Sequence, residues 1–385
     1  MTQSTLTTPG QLLANIPGIL GFYPTESIVF MALEEDQGTY SLGPTLRFDI
    51  NNMESTLVEA LTTVDNKHNA VILAFAITAD EGIDLDDVTV EIFKHADTLE
   101  APVAGLWHTR EIADGEPWEM MNMESVGEVP GIPAFPEIPP AWKYGYIDSI
   151  VTAISMEPYI REGRLPGYDR DEAHAPLHMR NPHIDAETLK LTQQQAHHAA
   201  AIMYEKSTLT NPRYGYGLEQ LLKECEEVIF RTTTYGFDAA DSCLHDVNVL
   251  GYASMTMANT YVRDLTAATY LDHPEETAAI MLAVSQSFTG TIRNNALCIY
   301  AAAQIKRGLP MYAGMALSAS NDADRAHSLT TLMLQCYLNG LAAQCVDNIY
   351  HGSEQARSHH DRQRADKQTG EKKGKAKRPD FDDAA

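Results

Sequence analysis

The chain has little positive charge in its first half, few cysteines and no long apolar run, and each shortage removes a class of function. Residues 1–160 hold 5 Lys or Arg against 25 Asp or Glu, in a 385-residue chain whose formal charge is −25. Such a surface repels phosphate backbones, because nucleic-acid binding rests on Lys and Arg displacing counterions. Anionic membranes are disfavoured for the same reason. Only the tail from His351 to Ala385, with 9 bases and 7 acids, is balanced enough to meet a polyanion. The five cysteines (Cys225, Cys243, Cys298, Cys336 and Cys345) include no Cys-x-x-Cys pair. An odd, sparse set in a long chain reads as reduced core thiols and a reducing compartment. No Lys or Arg precedes Arg47, and the first apolar run is broken by Asn15, Pro17 and Gly18, so no secretory leader is expected. No stretch has the apolar length to span a bilayer. The expected location is cytoplasmic. Also missing are Gly-x-Ser-x-Gly, a phosphate loop, Gly-x-Gly-x-x-Gly after a strand, and His-Glu-x-x-His. Their absence leans the reading away from an enzyme, and no cofactor, metal centre or catalytic residue is assigned.

What is present is strong local structure. Thr8 is placed to cap a helix, Pro9 fits its first turn, and Gln11 completes a capping-box spacing. Gly21 suits a left-handed stop and Pro24 prevents resumption. Ile28 to Met31 then form an unbroken apolar run, a buried strand. A polar turn at 34–38 and a return over 39–50 predict a hairpin. A helix over 53–65, an apolar strand over 70–77, a helix over 84–99, a strand over 103–112 and its partner over 116–122 follow. The order β-β-α-β-α-β-β implies a mixed sheet with helices on its faces.

Pro130, Pro133, Pro136 and Pro139 then recur every third residue, the period of a polyproline II ridge. The segment 129–140 is expected to be a stiff spacer or a strap over the sheet. From about Tyr144 the pattern turns helical, with a short helix over 148–160, a long one over 185–207 and further helices to residue 338. The spacing Ala301, Gly308, Tyr312, Ala316-Leu317 and Ala326 suggests helical hairpins of tetratricopeptide type, although only about one and a half units are visible. The expected organisation is an α/β sheet domain over 1–145, a helical domain over 146–350 and a disordered charged tail over 351–385.

Three clusters are candidates for chemistry. In open α/β sheets, ligands gather at the carboxyl ends of parallel strands. Those ends carry Arg47 and Asp49, then Thr78 and Asp80, then Trp107, His108 and Arg110. An indole, an imidazole, guanidinium groups and carboxylates there suit a small polar ligand or acid–base work. The bland alternative is sheet-end ion pairing, with Trp107 in the core. The loop 159–183 offers Arg161, Arg164, Arg170 and Arg180 as an anion clamp, against local neutralisation by Glu162, Asp169, Asp171 and Glu172. Its His174, His178 and His183 lack the cysteine or helical spacing that would argue for a metal. Arg263-Asp264 reads as a pair that orients helix packing.

The run Leu12-Leu13-Ala14, Ile16-Pro17-Gly18-Ile19-Leu20-Gly21-Phe22, Pro24 and Ser27 resembles a family of actinobacterial proteins known as a domain of unknown function, number 4192. The likeness continues through Leu46-Arg47-x-Asp49, Trp107, Gly163-Arg164, Val262-Arg263-Asp264, Gly308 and Ala316-Leu317. This chain has Tyr23 where that family commonly shows histidine. The resemblance implies a shared fold and transfers no mechanism. The function expected is therefore a non-catalytic protein-binding or scaffold module with a possible protein partner, no nucleic acid and no membrane. The alternative is a small-molecule or anion-binding protein, or an undescribed enzyme, with its site near Asp49, Asp80, His108 and Arg110.

Overall fold

A computed structural model describes residues 8–36, 39–64, 69–121, 139–161, 163–208, 218–236 and 239–375. The chain folds as two compact units, Met1–Ala175 with Leu338–Gly340, and Pro176–Tyr337 with Leu341–Ala385. The division falls later in the chain than residue 145.

The first unit opens as its local chemistry dictates. Helix α1 spans Pro9–Leu20, with the Thr8 hydroxyl accepting from the Gln11 N–H and Pro9 at the start, where a missing N–H costs nothing. Gly21 closes the helix at φ 84°, a conformation that a Cβ would strain. Packing is close along the helix. The Asn15 side chain accepts from the Ser155 N–H at 2.9 Å, and a Cβ on Gly18 would lie 2.3 Å from Ser155 Oγ.

The sheet has six strands: β1 (Ser27–Asp36), β2 (Thr39–Asp49), β3 (Asn69–Ile77), β4 (Val103–Thr109), β5 (Pro117–Met120) and β6 (Tyr144–Tyr146), in the order β2-β1-β3-β4-β5-β6. Only the β3–β4 pair is parallel; the others are antiparallel. Because β1 runs against both β2 and β3, the carboxyl ends of β2, β3 and β4 emerge at one edge. The register Asp49 opposite Ser27, Ser27 opposite Ile77 and Ile77 opposite Thr109 fixes that edge. Helices α2 (Met53–Val64) and α3 (Leu85–Leu99) supply Leu57, Leu61, Val88 and Ile92 to a core shared with Ile28, Phe30, Ile72 and Leu106. The mixed sheet with flanking helices is the expected one. It gains a strand at β6, where the sequence turns helical in pattern, and the expected helix over 148–160 resolves into two 3-10 turns and α4 (Glu157–Arg161). Of the proline ridge, Pro130, Pro133 and Pro136 lie outside the described residues.

The following helices are α5 (Arg170–His178), α6 (Ala186–Thr208), α7 (Leu218–Thr233), α8 (Ala239–His245), α9 (Val247–Met257), α10 (Thr260–Asp272), α11 (Pro274–Ser287), α12 (Gly290–Lys306), α13 (Pro310–Ala323), α14 (Ser328–Leu338) and α15 (Ala342–Lys375). The second unit is thus helical, as expected. Helix α12 is buried from Asn294 to Gln304 on nearly every side, which makes it the axis of the unit. The helices α12 to α14 carry no assignment as tetratricopeptide repeats. The expected disorder from residue 351 gives way to helix as far as Lys375, with 376–385 outside the described residues. The reason is polar anchoring that an apolar count misses. The Ser353 hydroxyl accepts the buried Ala268 N–H, Arg357 donates to Leu265 O and Thr269 Oγ1, and Tyr261 Oη meets His360 Nδ1 at 2.8 Å. No helix of the described residues is long and apolar enough to cross a membrane.

Candidate functional site

At the carboxyl edge of the sheet the expected groups are present, and all but the exposed Arg110 are engaged locally. Arg47 pairs with Asp49 at 2.6 Å, donates to Ser27 Oγ at 2.7 Å and reaches the Thr25 carbonyl. It also lies over the Phe22 ring. Burial pushes the Arg47 guanidinium down from its ordinary value, opposed by Asp49 and aided by the nearby Arg170. Asp80 closes its own turn by accepting the Gly82 N–H. His108 meets the Thr78 carbonyl at 3.1 Å, and Arg110 is exposed. Trp107 is 1% exposed, packs on Phe75, and donates its indole N–H to Trp142 O at 2.7 Å. The indole is part of the core.

Sequence reasoning missed Glu26 at this edge. Its φ of 43° is left-handed, costly for a residue with a Cβ. Its carboxylate accepts from the Thr78 hydroxyl and the Ala79 N–H, tying the start of β1 to the end of β3. The same edge holds the opening motif against the middle loop: Tyr23 N–H donates to Gly167 O, and Gly167 N–H to Gly21 O. Burial, then Asp114, raises the Tyr23 phenol above its usual value. The chemistry of this edge is cross-bracing.

The four loop arginines divide between the two units, three in the first and one in the second. Arg161 and Arg164 are exposed, Arg170 stands near Arg47, and Arg180 belongs to the second unit. There Arg180 and Arg293, from the first turn of α12, line a cavity of about 250 Å³ with His178, Ser285, Thr289 and Gly290. The remaining lining residues are apolar, so no carboxylate faces the space. Arg293 Nη2 donates to Leu177 O at 2.9 Å and Nη1 reaches Ala319 O, which fixes its plane. Burial and the Arg180 charge both press the Arg293 guanidinium below its ordinary value. Thr289 precedes α12 without a side-chain cap. The N-terminal end of this 17-residue helix, which carries its positive dipole and its orphan N–H groups, borders the cavity at Thr289 and Gly290. Gln286 Nε2 holds the Pro176 carbonyl at 2.6 Å, and Asn181 N–H donates to Gln286 O, so the strap 176–183, the end of α5 and the link towards α6, is pinned along one wall.

Deeper in this unit, Arg263 is only 7% exposed and donates to Asp264 Oδ1 and Asn295 Oδ1. Asn295 donates onward to Met257 O, and His327 bridges Asn295 to the Thr330 hydroxyl. Cys298 Sγ lies 4.0 Å from His327 Nδ1, a spacing that invites a nucleophile–base reading. Burial removes it: the thiol is pushed up to about 11, and His327 is pushed down by burial and then by Arg263. A protonated thiol beside a neutral imidazole is no activated nucleophile. This network orients helices, as Arg263-Asp264 suggested.

A family described as a domain of unknown function (DUF4192) matches residues 9–344, most of the chain. The chain belongs to that family. No curated protein and no solved structure matches it. Family membership thus supplies the expected architecture, and the side chains alone carry the functional reading. Among the residues that the likeness rests on, Arg47, Asp49 and Trp107 are bracing or core, and Arg263 is buried with Asp264 half-exposed beside it. The cavity arginines Arg180 and Arg293 stand outside them. Arg180 was legible as a guanidinium in an acidic chain; Arg293 gave no signal, since nothing in sequence joins residue 293 to residue 180. His183 likewise finds partners that the loop spacing did not indicate, Asp241 and His245.

Proposed function

We propose that the helical unit binds a small phosphate-like anion in the cavity at the start of α12. One observation carries this reading: Arg180 and Arg293 share a cavity of about 250 Å³ whose lining includes no carboxylate. Two guanidinium groups held together repel, and a dianion between them converts that repulsion into charge-assisted hydrogen bonding. The uncapped turn of α12 adds amide donors, and the Thr289 hydroxyl and the His178 ring stand on the same wall. The volume is below the range of about 300–1,000 Å³ usual for whole ligands. It therefore suits an anionic head group or a very small metabolite. Inorganic phosphate, titrated calorimetrically at low ionic strength, should bind saturably. Arg180→Gln should weaken it about tenfold or more, since one charge-assisted hydrogen bond is worth roughly 1.5–3 kcal/mol. Undetectable phosphate binding, or an equal Kd in the variant, sinks the proposal.

A second reading is the non-catalytic protein-binding or scaffold role, and a separate observation favours it. Tyr144, Tyr146, Val151, Ile154, Ile160, Leu165 and Tyr168 of the first unit are all exposed. Large apolar side chains concentrated in one stretch are characteristic of docking surfaces. Cross-linking with and without Leu165→Asp and Tyr168→Asp tests it; a partner profile unchanged by both substitutions rejects it. For either reading, the free cysteines support a reducing, cytoplasmic setting, and the acidic surface argues against a nucleic-acid partner. No catalytic role is assigned to the strand-end groups; Arg47, Asp49, Asp80 and His108 make their bonds to nearby backbone and side-chain groups of the same edge.

A further inference from the structure

We infer that His183, Asp241 and His245 form a binding site for a divalent transition metal of the zinc type. Asp241 and His245 lie four residues apart on α8, hence on one helix face. His183 arrives from the strap that precedes α6. One ligand atom from each of the three residues lies within 4.8 Å of the others. His183 Nε2 is 3.4 Å from Asp241 Oδ1, and His245 Nε2 is 3.6 Å from Asp241 Oδ2. These separations, each to a different oxygen of the one carboxylate, are longer than the usual hydrogen bond of about 2.7–3.2 Å. They are near the spacing of neighbouring ligand atoms around an ion with bonds near 2.0–2.1 Å, about 3.3–3.4 Å. The two imidazole rings are close, with centroids 3.7 Å apart and planes tilted by 34°, and each brings its Nε2 near the one carboxylate.

The position of His183 is held by a buried side chain. Asn181 is 8% exposed, and its amide donates to Leu244 O and Ser287 Oγ, each at 2.9 Å. Its Oδ1 accepts the His183 N–H at 2.9 Å. One amide thus binds the backbone of His183 to the residue before His245, so the ligand set is prearranged. Two imidazoles and a carboxylate suit zinc, iron(II) or cobalt(II) and disfavour calcium and magnesium, which take oxygen. Three protein ligands leave a position for water or an exogenous ligand, and Asp241 and His245 are exposed enough for exchange. None of the three residues lines the arginine cavity, so the site stands whether or not that cavity binds an anion.

The full chain, stripped with a chelator, should bind zinc sulfate at this site in calorimetry. His183→Gln and His245→Gln should each raise that Kd by about tenfold or more, with unchanged melting curves, while His197→Gln leaves it unaltered. Cobalt(II) on the unaltered chain should give a visible spectrum without thiolate charge transfer and should shift the imidazole resonances of His183 and His245. Zinc affinity indifferent to both histidine substitutions, or cobalt shifts confined to other histidines, overturns the assignment.

Discussion

The carboxyl edge of the sheet and the mouth of α12 hold similar inventories, guanidinium groups beside hydroxyls and an imidazole, yet they differ in what those groups still have to give. At the sheet edge Arg47 has Asp49, Ser27 and Thr25, and Glu26 has Thr78 and Ala79. In the cavity, Arg293 spends its Nη atoms on carbonyls, Arg180 adds a second positive charge, and among the described residues no ion pair to either arginine is made. A polar cluster becomes a binding site when its charge remains unmatched, and a brace when it does not.

The sharpest test of that contrast is stability at the sheet edge. Trp107→Ala should cost about 3–5 kcal/mol in urea unfolding, the range for deleting a large core aromatic. Phosphate affinity at the cavity should not change while the protein remains folded. Arg47→Met should cost about 2 kcal/mol, through loss of buried charge-assisted hydrogen bonds, again with phosphate binding intact. An Arg47→Met variant as stable as the parent would show that the edge is not a brace and would reopen it as a ligand site. Arg180→Gln should invert the pattern, losing about 1.4 kcal/mol of phosphate affinity per tenfold change with stability kept within about 0.5 kcal/mol.

The smallest effect is on acidification. His327 has its folded-state pKa lowered beneath 6.5, by burial first and then by Arg263. The unfolded chain therefore takes up the proton first as pH falls. Stability is complete above about 6.5 and declines between there and the lowered folded value. His327→Gln should flatten this part of a stability–pH curve, and a parallel curve would remove the histidine from the acid response.

Local rules made α1 legible to the residue, since Thr8, Pro9 and Gly21 act within one turn. They also located β1 to β5, because buried runs such as Ile28 to Met31 leave no other reading. They missed β6, where Tyr144-Gly-Tyr146 is an edge strand of three residues defined wholly by its pairing with β5. They stopped the last helix too early, because its anchors Ser353, Arg357 and His360 are polar and carry no hydrophobic period. The sites follow the same division. Asp241 and His245 bear a spacing that a reader of helices can find, whereas their union with His183 depends on Asn181 reaching Leu244. Arg293 sits in the first turn of α12, and only the return of the strap brings Arg180 to it.

The strap itself is attached in an unusual way. Its path is held by groups outside its exposed positions: Gln286 on the Pro176 carbonyl, Arg293 on the Leu177 carbonyl and the buried Asn181. His178, Met179, Arg180 and Pro182 face solvent. Their identities can therefore drift without altering the course of the backbone, much as a binding loop varies on a constant framework. Within one inherited architecture, this short segment can change its side chains while the anchors stay in place.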